Sequence, residues 1–441
     1  MASGASSVGE LTERGNNAYE RSEFRESIEY HEQALTIARE IGDRGDECNR
    51  LGNLGRAYYA LGEIRKAIEY HKQALAIARE VGDRRGEGEA LLRLGESNMV
   101  FGDWDKSLQF FNDALEIFET MESLTSRGEV LSYIGELQIK SGEWEDAREN
   151  LEKSLELSDR TTPVGKIDAL MNLGELFSVE DRYEDAFSSF KEALRIASDS
   201  ELSTKKVKIC NKIVRARLMD FESNKSKESL LRANNYCISA LKLAKYLQMP
   251  LDQGISLRNM GIVSFRYNQI NESKSYFRQS LKKFQTIGAR YELARTYLEL
   301  AKTLAETNML LEAEEKTKVC AFDATHKEFK ELKVRSYVLL GDIIRKQDSS
   351  QYGYYLTALK AAIFNPKIYT RTIFLIIYRM KEMERDTTIE FIKALKEVNI
   401  EVHFDTFLNA LASKIQGNGE DYNTEDLPVE LKEELDNFPI Q

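Results

Sequence analysis

Apolar residues recur along the chain at helical spacing, broken by short polar turns at Gly62-Glu63, Gly102-Asp103, Gly142-Glu143 and Asp181-Arg182. In residues 48–80 the apolar set includes Tyr58, Ala67, Tyr70, Leu75 and Ile77. The pattern is itself repeated. The segment from Ile28 to Glu40 returns from Ile68 to Glu80, forty residues on, with eleven of thirteen positions identical. Gly-Asp-Arg follows each copy, at 42–44 and at 82–84. Such self-similarity is the signature of a repeat architecture.

The repeat fades along the chain but keeps its small residues. Glycine recurs at 15, 55, 95, 135, 174, 261 and 341, with Ala301 in the same slot. Twelve residues after each comes Ser27, Ala67, Ser107, Ala147, Ala186, Ser273, Ala313 or Gly353. Seven further on comes Ala34, Ala74, Ala114, Ser154, Ala193, Ser280 or Cys320. The spacing predicts an α-hairpin in which helix A carries the glycine and helix B the two small residues, so that the backbones approach closely. One hairpin cannot bury its own apolar face, so neighbours must stack.

This small-residue spacing resembles the tetratricopeptide repeat over residues 8 to 366, and its forty-residue form resembles the repeats of the LGN/Pins-type polarity scaffolds. The resemblance implies an all-α fold, an α-solenoid of about nine hairpins in a right-handed superhelix. The expected organisation is a disordered N-terminus (1–7) and an N-terminal block of five units (8–200). A degenerate unit or bend (201–249) follows, where the polar connector from Asp220 to Lys227 breaks the pattern. A C-terminal block of three units (250–366), a helical capping bundle (367–416) and a disordered acidic tail (417–441) complete the chain.

Composition sharpens this. Five prolines in 441 residues suit a helical protein, and 42% apolar residues suffice for a core. The formal charge of −11 argues against nucleic acid as a partner. The tail beyond Gln416 holds eight acidic residues against Lys432, which is −7 of that −11. The longest apolar run, Ile373 to Tyr378, is far short of a membrane span, so no membrane insertion is expected. No basic and apolar leader precedes the repeats, and the four cysteines lack C-x-x-C spacing; both point to the cytoplasm.

No phosphate-binding loop, nucleophile elbow or H-E-x-x-H motif occurs, so the chain is expected to be no enzyme and to need no cofactor and no metal. His31 and His71 occupy one slot of adjacent units and read as a repeat position, not as a metal pair. A carboxylate clamp for chaperone tails is only partly present. Asn16, Asn53 and Arg93 match it by alignment, but Thr12 and Glu89 stand in its lysine slots, which would repel a peptide carboxylate.

The expected function is a non-catalytic scaffold or adaptor that binds a peptide or helical segment of a protein partner in the concave groove. The alternatives are a signalling-peptide sensor, an accessory subunit of an enzyme complex, and a G-protein-linked polarity scaffold. The last lacks the GoLoco motifs that such scaffolds carry. By the resemblance, certain helix A slots face the groove. They give Glu89, Glu96, Glu129, Glu136, Asp168 and Glu175 in units three to five, with Lys140 the basic exception. Units seven to nine give Arg258, Arg266, Arg295, Lys302, Arg335, Arg345 and Lys346, against Glu306 and Asp342. Asn16, Asn53, Arg56 and Arg93 complete the set. Like charges on one wall repel. A basic segment is therefore expected in the N-terminal groove and an acidic one in the C-terminal groove. Glu96→Lys with Glu136→Lys should weaken the partner tenfold and leave the fold intact.

A first prediction follows from the tail. Its charge and scarcity of apolar residues make it dispensable for folding. Truncation after Gln416 should leave the melting temperature unchanged; a marked drop would show that the tail belongs to the folded core.

Overall fold

The computed structural model describes residues 2–158, 162–327, 329–346, 353–362 and 376. They form α-helical hairpins. The A helices are α1 (Ala2–Glu20), α3 (Arg44–Ala60), α5 (Arg84–Phe101), α7 (Leu124–Ser141), α9 (Pro163–Val179), α11 (Ser203–Asn224), α13 (Pro250–Arg266), α15 (Arg290–Glu306) and α17 (Lys330–Lys346). The B helices are α2 (Phe24–Ile41), α4 (Ile64–Val81), α6 (Trp104–Thr120), α8 (Trp144–Ser158), α10 (Tyr183–Asp199), α12 (Lys227–Tyr246), α14 (Ile270–Ile287), α16 (Leu310–His326) and α18 (Gly353–Ala362). The chain divides into two compact units, Met1–Thr303 and Leu304–Gln441. The segment expected to be a degenerate unit or bend at 201–249 is a hairpin of α11 and α12, packed between α10 and α13 inside the first unit. Apart from Ile376, the expected cap and acidic tail lie outside the described residues.

The Gly-Asp-Arg junctions show how the sequence turns one hairpin into the next. Gly42 ends α2 at φ 73°, a left-handed conformation that glycine adopts without steric cost, and its N–H returns to the carbonyls of Ala38 and Arg39. Asp43 then caps α3, its Oδ1 accepting the Asp46 N–H at 2.9 Å. Arg44 joins Glu47 in its own helix to Glu80 at the end of α4. Residues 82–84 repeat this, with Asp83 accepting the Gly86 N–H at 2.9 Å and Arg84 pairing with Glu87 at 2.7 Å.

The small positions set the distance between helices. A Cβ on Gly95 would lie 2.4 Å from the Phe111 ring, and one on Gly135 would lie 2.6 Å from Leu151. At that separation a serine on helix B reaches the backbone of helix A. Ser107 Oγ donates to the Gly95 carbonyl at 2.8 Å, and Ser273 Oγ to the Gly261 carbonyl at 2.7 Å. The second small position does the same from further along: Ser154 Oγ donates to Gly128 O and Ser280 Oγ to Gly254 O, both at 2.7 Å. The second unit keeps the rule, with Tyr355 filling the space over Gly341.

The residue facing each repeat glycine is Phe111, Leu151, Phe190 or Phe277 in the later hairpins of the first unit, and a histidine in the first two. His31 and His71 are each 1% exposed, and neither Nδ1 has a hydrogen-bond partner. They fill a core slot. Burial, with Arg50 and Arg56 nearby, lowers the pKa of His31 to about 4. Burial, chiefly, with Arg93 nearby, lowers that of His71 to about 3.

An acid limb of stability follows. Unfolded histidine ionises near pH 6.5 and the folded pair only far below it, so the unfolded chain binds the extra protons. Stability is full above that pH and falls as the pH is lowered. Between pH 6.5 and 4.5 the loss is on the order of 2–3 kcal/mol per histidine. His31→Phe with His71→Phe, the residue found in this slot elsewhere, should flatten the melting temperature across that window. An unchanged slope would mean that other groups carry the acid limb.

Candidate functional site

In the first unit the A helices line a chamber. Helical spacing brings its residues onto one face of each helix. From α9 come Asp168, Met171, Asn172 and Glu175, at intervals of three and four. From α11 come Lys205, Lys208, Asn211, Lys212 and Arg215, spaced in the same way. Helices α5 and α7 add Glu96, Met99, Ser132, Tyr133, Glu136 and Lys140. Asp252, Ile255, Arg258 and Asn259 of α13 and Tyr291, Glu292 and Arg295 of α15 form the far wall.

The chamber is bounded on one side by a seam between hairpins distant in sequence. The Trp104 and Tyr291 rings lie 5.1 Å apart, and the Arg290 guanidinium sits over Phe101 at 4.9 Å. Phe284, Ile287 and Ala289 pack against Val100, Leu251, Ile255 and Leu293. The turn between α3 and α4 also enters the seam, where a Cβ on Gly62 would lie 2.6 Å from Ile287 Cγ2. Repeat stacking alone provides contacts only between neighbours. The seam exists because successive hairpins curl until the corners of α3–α6 meet those of α13–α15. Val100, Leu251, Ile255 and Tyr291 belong both to the seam and to the chamber wall.

Most charges inside are paired. Lys140 lies 2.9 Å from Glu136, and Lys205 Nζ donates to Asp168 at 2.6 Å. Glu175 is held by both Lys212 and Arg215, and Glu292 by Arg258. Arg93 bridges Glu96 at 3.1 Å and Glu129 at 2.8 Å. Asn172 donates to the carbonyl and hydroxyl of Ser132, each at 3.1 Å. Burial pushes the Glu292 carboxyl up, but Arg258 and Arg295 outweigh it and bring its pKa to about 2. Burial likewise opposes ionisation of Glu175, and the cations on it prevail and hold its pKa far below the usual carboxylate range.

This corrects the two-groove picture. Glu96, Glu136, Asp168 and Glu175 share one chamber with Arg258 and Arg295, and each of those four carboxylates faces a cation. Glu175 still repels Glu136, but the cations outweigh the repulsion along an acidic wall that the sequence suggested. The missed partners lie mostly on α11. Its connector broke the repeat register, so no slot was assigned to its lysines, although their spacing of three and four was legible.

The other expected site residues are dispersed. Asn53 donates to Asn16 at 3.4 Å, and Arg56 covers the Tyr19 ring at 4.8 Å, in a small hollow near the start of the chain. Glu89 is exposed and pairs with Arg85 at 3.1 Å. Arg266 binds Glu222 at 2.5 Å and Lys302 binds Glu299 at 3.1 Å. Arg335, paired with Glu331 at 2.8 Å, and Arg345 belong to the second unit.

The pairing changes the expected outcome of the double charge reversal. In Glu96→Lys with Glu136→Lys, new lysines face Arg93 and Lys140 inside the chamber. Removing one partner of a buried pair costs about 3–5 kcal/mol. The variant should therefore melt well below the parent in a thermal scan; equal melting would show that these pairs are solvated.

A family model described as Tetratricopeptide repeat matches residues 10–80, 86–160 and 126–199. No curated protein sequence matches the chain. Among solved structures, a Rap protein complexed with Competence and Sporulation Factor aligns at 14% identity with a TM-score of 0.53, over 64% of this chain and 76% of that one. The Rap conjugation gene regulator of the plasmid pLS20, in complex with the Phr* peptide, aligns at 14% identity with a TM-score of 0.52, over 63% and 73%. At such identity the likeness is one of fold: an α-solenoid. The repeated small residues, the hairpins they set and the matching family model together make residues 10–80 and 86–199 of this chain tetratricopeptide repeats.

Proposed function

We propose that the chamber of the first unit receives a short peptide segment, and that the protein acts as a non-catalytic peptide receptor within the broader role of a protein-interaction scaffold. The observation that carries this reading is the chamber itself, where apolar side chains alternate with largely paired acidic and basic ones. The seam closes one side of the chamber, which favours a short segment over a long helix gripped along an open groove. The two Rap structures, one of them in complex with a peptide, support the same reading by likeness of fold.

Occupancy and the seam are linked in this reading, because Tyr291 and Ile255 serve both. A ligand that touches the chamber wall also touches the contacts that hold the two sets of corners together.

Two measurements test the proposal. The chain has two tryptophans, so Trp144→Phe leaves Trp104 as the single indole. Saturation with a peptide selected from a random hexapeptide pool should shift Trp104 emission, because Tyr291 lies against it. Ile255→Trp, which projects an indole into the chamber, should weaken that peptide at least tenfold, about 1.4 kcal/mol. A selected peptide that is indifferent to Ile255→Trp and protects only B-helix amides from hydrogen exchange would place the site on the outer surface and end this reading.

A further inference from the structure

Accepting the chamber as a peptide site, the polar groups it leaves over say what kind of peptide it takes. On the face of α11 stand four cations, Lys205, Lys208, Lys212 and Arg215, and no carboxylate of that helix lines the chamber. Across from them α9 offers Asp168 and Glu175. Lys205 takes the first, and Lys212 and Arg215 share the second. Asp252 of α13 lies near as well, and the Asn211 amide reaches it at 3.5 Å. Lys208 is left with no ion pair or hydrogen bond among the described residues. Burial disfavours its charge, but Asp252, Glu96, Asp168 and Glu136 act on it from a distance and prevail, so the ammonium keeps its proton.

The neutral groups lean the same way. Asn259, 4% exposed on the chamber wall, has no partner for its Nδ2. Its neighbour Arg258, 2% exposed, gives its terminal nitrogen to Glu292 and leaves its Nε without one. The unmet acceptor among the chamber's buried side-chain atoms is Asn172 Oδ1. A buried donor without an acceptor is costly, and the partly buried Lys208 ammonium keeps donors that no acceptor meets among the described residues. Both are relieved by one kind of group: an oxyanion with several lone pairs. A basic side chain would bring more donors to a wall that already has too many. Asp168, Glu175 and Glu136 are engaged by Lys205, Lys212, Arg215 and Lys140, which leaves Asp252, whose pKa burial raises, as the chamber carboxylate without an ion pair.

We propose that the wall formed by α11 and α13 is an oxyanion subsite, and that the chamber selects short peptides with an acidic side chain, received by Lys208 and Asn259. This reverses the sign expected for the carboxylate-bearing helices, because their charges are spent on α11. Recognition resides in groups that contribute little to the fold. Lys208 forms no close pair to break, and an apolar isostere at Asn259 removes an unmet donor.

The test uses three pools of synthetic hexapeptides blocked at both ends, so that only side chains carry charge. One pool contains Asp and Glu, one Lys and Arg, and one neither. Each is incubated with the full chain, and retained peptides are quantified by mass spectrometry. The acidic pool should be retained at least tenfold over the uncharged pool, and the basic pool below both. Asn259→Leu should cut acidic retention severalfold without lowering the melting temperature. Lys208→Gln should abolish the preference, and Lys208→Arg should restore it. Inorganic phosphate is titrated against the acidic peptides as a separate arm. Displacement only at concentrations far above the peptide's supports a side-chain carboxylate as the source. Phosphate binding with no retention of acidic peptide would overturn the proposal in favour of a free-anion site. Equal retention of acidic and uncharged pools, or preference for the basic pool, would overturn the acidic selectivity and leave the peptide site standing. No retention of any pool, with no protection of α11 or α13 from exchange, would remove the peptide site as well.

Discussion

The structure depends on the close approach of two helix backbones at positions without side chains. Where Gly95 faces Phe111 and Gly174 faces Phe190, a single methyl group would overlap an aromatic ring. Interiors packed to crystal density do not absorb such an overlap cheaply. The approach also brings the serine hydroxyls of helix B within reach of helix A carbonyls. A hydroxyl buried in that contact therefore has its partner, and the junction tolerates serine as readily as alanine. Repeated down the chain, this spacing fixes the angle between hairpins and with it the curl of the first unit.

The curl gives the inner face its unusual environment. On a straight stack the A-helix charges would stand in water, where a pair is worth little. In the first unit many of them face one another across a chamber, where burial opposes the charge of Glu96, Glu136, Glu175 and Glu292. Each carboxylate then needs a cation at hand, and the pairing is largely between helices: Asp168 with Lys205, Glu175 with Lys212 and Arg215, Glu292 with Arg258. Buried pairs of this kind add little net stability over apolar packing, but breaking one is costly. They tie neighbouring hairpins together and leave a few polar groups unmet.

The seam places a second demand on the same residues. Solenoids behave as quasi-one-dimensional stacks because each repeat contacts only its neighbours. Here Trp104, Phe101 and Gly62 meet Tyr291, Arg290 and Ile287, residues from the other side of the unit. That contact joins the ends of a long local stack, so small changes of pitch in each hairpin add up at the seam. The chamber and the seam share Val100, Leu251, Ile255 and Tyr291.

The sequence by itself determined the hairpins. Gly15 through Gly341, the small residues after them and the Gly-Asp-Arg junctions are local, periodic signals. Each acts within one hairpin or between two neighbours, so a pattern of forty residues is enough to read them. The fate of His31 and His71 was equally legible, since they stand where later units hold phenylalanine or leucine. The site was less so. Glu96, Glu136, Asp168, Glu175, Arg258 and Arg295 were identified as facing inward, and they do line one chamber. That acids and bases meet there, that Lys205, Lys208, Lys212 and Arg215 of an irregular hairpin supply much of the countercharge, and that Tyr291 reaches Trp104 were decided by tertiary structure alone. The reason is physical: curvature accumulates from small rotations at every hairpin interface, and no local pattern records their sum.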